Sequence, residues 1–84
     1  MKIYIRVAGP YNVKGHVGPR AYWTVDIYNE ALALTYRLVP WNESASLSYK
    51  EAMRLAETAA RVMEVPVREF IVTHTAHFTV EEKK

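Results

Sequence analysis

The chain has 84 residues, enough for one domain with a thin core, and half of them are hydrophobic, which argues against disorder. The net charge of +2 is small for a dedicated nucleic-acid binder, and the absence of cysteine excludes disulfides and thiolate zinc sites. No apolar run approaches the roughly 20 residues of a membrane span, so we expect a cytoplasmic protein. An abundance of Glu, Lys and Arg without Gln favours a thermophilic source.

Three stretches in the first half alternate between apolar and polar residues with a period of two, which is typical of half-buried strands. They are residues 2–8, 21–28 and 31–39, and a tight turn at Asn29-Glu30 joins the second to the third. In the third strand the pattern predicts four side chains on the core side: Leu32, Leu34, Tyr36 and Leu38.

Residues 9–20 form a long connection that contains all three glycines of the chain. Glycine lets backbone N–H groups approach a phosphate, and basic side chains add charge. The segment therefore suggests a phosphate or nucleic-acid contact made by Lys14, His16 and Arg20, with Arg6 from the preceding strand. A hairpin connection without a binding role is the alternative, and the sequence leaves both open.

The helix has the clearest local signals. Ser48 and Glu51 have the spacing of a capping box, in which each side chain bonds the backbone of the other. Pro66 ends the helix. An apolar stripe then predicts the face that packs on the sheet: Ala52, Leu55, Ala56, Ala59, Ala60 and Met63.

Residues 68–80 alternate over a length that is unusual for one strand, and a strand this long outruns a small sheet and calls for a partner. The elements predict an α+β fold in one domain, residues 1–84, with βββαβ order and a frayed tail at 81–84. One helix covers one face of a mixed sheet, and the last strand lies parallel to the first or third.

The other sheet face has no second helix to cover it. Its Tyr and Arg side chains could stack bases or form a protein interface, where both residue types are enriched. The sequence favours the protein interface, with these residues: Tyr4, Tyr22, Tyr28, Arg37 and Phe78.

The element order, with a Gly/Pro-rich first turn and Glu51 near the helix start, resembles the first half of the ribonuclease H fold and the HicB antitoxins, which are degenerate members of it. That resemblance implies three carboxylates that hold two metal ions. Here the first strand ends Arg6-Val7-Ala8 and the last one reads Val72-Thr73-His74, so only Glu51 matches. We therefore expect no nuclease activity, no metal and no cofactor.

These observations favour a non-enzymatic interaction module. It is expected to be a homodimer that binds or inhibits a protein partner in the manner of a HicB-like antitoxin. A small nucleic-acid-binding protein, which would use the basic loop and the Tyr/Arg face, is the alternative. No membrane association is expected.

Overall fold

Five strands and one helix make up the fold. The structure, a computed structural model, describes residues 2–12, 21–38, 47–74 and 78–83. The loop residues Lys14, His16 and Arg20 lie outside these ranges. The elements are β1 (Ile3–Asn12), β2 (Ala21–Asn29), β3 (Leu34–Arg37), α1 (Tyr49–Met63), β4 (Val67–His74) and β5 (Phe78–Glu82).

The strands form one mixed sheet in the order β3-β2-β1-β4-β5. Neighbours are antiparallel except for β1 and β4, which run parallel because α1 returns the chain to the starting end of the sheet. The predicted α+β fold, with one helix on one face of one mixed sheet, is confirmed. A fifth strand extends the predicted order.

Three alanines bring α1 close to the sheet. Ala52, Ala56 and Ala60 are buried and lie one turn apart along the helix. They pack in one core cluster with the fully buried side chains of Ile5, Val7 and Val25. Because alanine is small, the helix axis can lie near the strands, and the core is a single thin layer.

The capping box predicted at the start of α1 is present. The Glu51 N–H donates to Ser48 Oγ at 3.2 Å, and the Ser48 N–H donates to Glu51 Oε1 at 3.2 Å. These bonds lower the pKa of the Glu51 carboxyl. The helix ends at Glu64, whose backbone is left-handed with φ of 58°.

Removing this cap has a predictable cost. Ser48→Ala is expected to lower the free energy of unfolding by about 1 kcal/mol, because two backbone donors lose their partners. Ser48→Asp keeps an acceptor at the same place and should retain most of the stability. Urea unfolding followed by circular dichroism measures both, and equal losses in the two variants would contradict the capping role.

The prediction of one long last strand over 68–80 is wrong. The chain turns between His74 and Phe78, and β5 runs back along β4 with Val72 opposite Val80. Even-numbered residues pair with even-numbered residues, so the alternation continues across the turn and hides it. Because β5 supplies the partner of β4, the strand length no longer argues for a second chain. Glu81 and Glu82, expected in a frayed tail, belong to β5.

The third strand is shorter and more exposed than the sequence predicts. β3 spans four residues, and the predicted core side chains Leu32, Leu34 and Tyr36 are 65%, 61% and 73% exposed. Only Leu38 packs against the core. The physical reason is the position of α1, which packs over β1, β2 and β4 and leaves the helix side of β3 uncovered.

Residues 9–12, expected in the loop, continue β1 past a bulge between Ala8 and Tyr11. The Gly9–Pro10 peptide bond in this bulge is cis. Glycine is required at position 9 because the Trp23 ring lies against its backbone. A Cβ atom there would stand 2.5 Å from Trp23 Cδ2.

Candidate functional site

The sheet face opposite α1 carries a layer of rings and charges that comes from all five strands. We call it the arginine–aromatic face. The β1–β2 register places Tyr4 opposite Tyr28 and Arg6 opposite Asp26. The other strands add side chains of the same parity, and the complete set is Tyr4, Arg6, Asp26, Tyr28, Arg37, Arg68, Phe70 and Glu82.

Tyr4 is the centre of this face and is only 5% exposed. Its ring lies 5.2 Å from the Tyr28 ring and 6.3 Å from the Phe70 ring, between centroids. The Arg68 guanidinium carbon sits 4.3 Å above it. Burial raises the pKa of the Tyr4 hydroxyl, although Arg68 acts in the opposite direction. Side chains of the sheet itself therefore cover the ring that we expected to be available for contact.

Arg68 is fixed by a carboxylate as well as by the rings. Both Glu82 oxygens accept from its guanidinium, in a bidentate ion pair between β4 and β5. These bonds raise the pKa of Arg68 above its usual range. Arg6 is held in a similar way, since its guanidinium carbon lies 5.2 Å from the Phe70 ring centroid.

Asp26 is the buried charge of the face. Arg37 Nε approaches its Oδ1 at 3.5 Å, and only 5% of the Asp26 side chain is exposed. Burial raises the pKa of this carboxyl, and the two flanking arginines, Arg37 and Arg6, offset that effect only in part. Neither Asp26 Oδ1 nor Arg6 Nε has a hydrogen-bond partner among the described residues.

The raised pKa of Asp26 fixes the sign of a pH effect. The folded state holds this proton more tightly than the unfolded chain, so Asp26 contributes most below the unfolded pKa of about 3.9. That contribution is lost as the pH rises through the folded-state pKa. The unfolding free energy of the parent protein minus that of Asp26→Asn should therefore fall between acidic and neutral pH.

Glu69 gives the opposite control. A hydrogen bond from Tyr49 and a Lys83 ion pair of 3.1 Å lower its pKa, so its contribution is present above the unfolded value and lost on acidification. The corresponding difference for Glu69→Gln should rise with pH. Urea titrations of the three proteins over this range measure both slopes. Two slopes of the same sign would contradict burial as the dominant influence on Asp26.

The structure brings together four of the residues expected in a site: Tyr4, Tyr28, Arg6 and Arg37. Tyr22 lies apart from them, with its ring 5.5 Å from that of Tyr11 beyond the bulge. Phe78 pairs through its backbone with His74. Sequence reasoning missed Asp26, Arg68, Phe70 and Glu82. The signal that could have found the last three is the parity of residues 68–82 once β4 is placed beside β1.

A second surface lies at the β3 end of the sheet, and no described strand lies beyond it. We call it the β3 edge: Leu32 together with β3. The Leu38 N–H donates to the Val25 C=O at 3.1 Å, and the register then directs the backbone groups of Tyr36 and Leu34 towards β2. By the same alternation, Thr35 and Arg37 direct their N–H and C=O groups outwards.

The opposite edge of the sheet has a different character. β5 ends in Glu81 and Glu82, and Lys83 follows. Lys83 pairs with Glu69, and Glu82 with Arg68. Charged edges discourage pairing with another strand, whereas the β3 edge combines outward backbone groups with exposed apolar side chains.

No family model, curated protein or solved structure matches this chain. In the residues that the structure describes, no three of the His, Asp and Glu side chains are grouped as a metal would require. No helix in the same ranges is both long and apolar enough to cross a membrane.

Proposed function

We propose that this protein is a non-enzymatic protein–protein interaction module. It associates with itself and inhibits a protein partner, in the manner of a HicB-like antitoxin. The observation that carries the proposal is the β3 edge, where three large apolar side chains are each more than 60% exposed. Contiguous apolar surface beside open strand groups is typical of a surface that another chain covers.

The arginine–aromatic face supports the same proposal indirectly. Its charged groups are engaged with one another, as in Arg68–Glu82 and Arg37–Asp26. Glu51, the only acid that matches the ribonuclease H pattern, is exposed and occupied in the capping box. The chain therefore offers apolar contact area more readily than a group of acids and bases poised for catalysis.

Two measurements test the proposal. Static light scattering of the purified protein at micromolar concentrations should give the mass of a dimer. Co-expression with the product of an adjacent toxin-like gene should yield a stable complex in which the toxin is inactive. A protein that stays monomeric and leaves every neighbouring gene product active would refute the interaction module.

Nucleic-acid binding is the second candidate. The observation in its favour is the presence of Arg6, Arg37 and Arg68 beside Tyr4 and Phe70 on one sheet face, since arginine and aromatic side chains together suit exposed bases. The expected result is binding to single-stranded RNA or DNA that weakens steeply with salt. Gel shifts at low salt measure it, and unshifted nucleic acid would remove this candidate.

A further inference from the structure

We infer that the β3 edge is covered by the β3 edge of a second copy of this chain, paired antiparallel about a two-fold axis at Tyr36. The inference rests on the proposed function and specifies the geometry of self-association. Both copies then contribute to one ten-stranded sheet, and the two helices lie on the same side of it.

The backbone of β3 decides how two copies can pair. Its outward N–H and C=O groups belong to Thr35 and Arg37, as derived from the β2–β3 register. An antiparallel neighbour must present its own outward groups at the same level. Placing Thr35 opposite Arg37 of the second copy meets this condition twice, on either side of the axis, and forms on the order of four hydrogen bonds.

Side chains agree with this register. Tyr36 faces Tyr36 of the second copy, and Leu34 faces Leu38, so apolar groups meet on the helix side. In the single chain Leu34 and Tyr36 are 61% and 73% exposed. On the other side of the sheet Arg37 lies opposite Thr35, and no like charges oppose each other, which would be unfavourable in a cross-strand pair.

The competing register is centred on Thr35 and requires Ala33 to pair with Arg37. Ala33 has a φ of 51°, which is left-handed backbone and cannot continue a ladder. That register therefore keeps fewer hydrogen bonds. The charged β5 edge offers no equivalent pairing. The junction at Tyr36 is small, below the roughly 1,200 Å² of a standard interface, so we expect a dissociation constant on the order of micromolar.

A single cysteine tests the register, because the chain has none of its own. Tyr36→Cys places two cysteines opposite each other in a pair without direct hydrogen bonds, about 4.5 Å apart at Cα, which suits a disulfide. Leu34→Cys is the matched control, since its two cysteines lie about 13 Å apart in the same dimer. Mild oxidation should cross-link the first variant and leave the second unlinked on non-reducing gels.

Charge variants provide a second test. Tyr36→Lys should weaken dimerisation on the order of a hundredfold, because two lysines face each other at the axis. Leu32→Lys adds the same charge at the turn, outside the pairing, and should dimerise like the parent. Mixing Tyr36→Lys with Tyr36→Glu should restore dimers. Circular dichroism checks that each variant is folded.

The outcomes separate the two proposals. A parent dimer that cross-links through position 34, or through neither position, overturns the β3 pairing and leaves the interaction module standing. A monomeric parent protein that nevertheless inhibits a toxin-like partner overturns self-pairing alone. A monomeric parent with no effect on such a partner removes both.

Discussion

Ala56→Glu is expected to unfold the protein. Ala56 is fully buried between α1 and the sheet, in the cluster that contains Ile5, Val7 and Val25. A glutamate there must either bury a charge, which costs several kcal/mol, or take up a proton and still displace the helix. An 84-residue domain has a total stability on the order of 4–12 kcal/mol, so this cost is comparable with the whole.

Thr58→Glu is the matched control for this effect. Thr58 lies on the exposed side of the same helix, and the substitution makes the same change in charge. It also places a carboxylate four residues after Arg54, where an ion pair can form. Thr58→Glu should stay within about 0.5 kcal/mol of the parent. Near-ultraviolet circular dichroism and urea unfolding compare the two, and similar stabilities would mean that Ala56 is not in the core.

Gly9→Ala is expected to have the next largest effect. The added Cβ would stand 2.5, 2.8 and 2.9 Å from three atoms of the Trp23 ring. The ring has little room to retreat, because its other contacts include Tyr49 with ring centroids 4.8 Å apart, and the Trp23 N–H bonds the Leu47 C=O. Overpacking of this kind costs about 1–3 kcal/mol.

A double-mutant cycle assigns that cost to the Trp23 ring. Trp23→Leu removes the indole, so Gly9→Ala should destabilise a protein that already carries Trp23→Leu far less than it destabilises the parent. The expected coupling energy lies within about 0.5–3 kcal/mol, the range for residues in contact. Unfolding in urea gives the four free energies. Additive losses would show that another neighbour, or the backbone of the bulge, limits position 9.

The elements that sequence reasoning predicted well have signals that lie within them. The capping box at Ser48 and Glu51 specifies the start of α1, and Pro66 limits its end. Alternation alone specifies which residues of β1 and β2 share a face. It also placed Tyr4, Tyr28 and Arg37 together, as the register shows.

The features that it missed depend on contacts between distant segments. Nothing in residues 31–39 indicates that α1 stops short of β3, so Leu34 and Tyr36 were expected in the core. The turn between β4 and β5 has no Gly or Pro and preserves parity, so no local signal marks it. The burial of Tyr4 requires Arg68 and Phe70, which reach it only because β4 lies beside β1.

The strand order also has a consequence for how the chain is made. The central strand β1 is synthesised first, and its two neighbours are β2, which follows closely, and β4, which begins at Val67. Until that segment leaves the ribosome, one side of β1 has no partner, and the nascent meander exposes the apolar side chains of Ile5 and Val7. Long-range pairing of this kind folds slowly and is prone to aggregation. Translation that stalls before β4 should therefore yield insoluble chains, whereas release of the complete chain should yield folded protein.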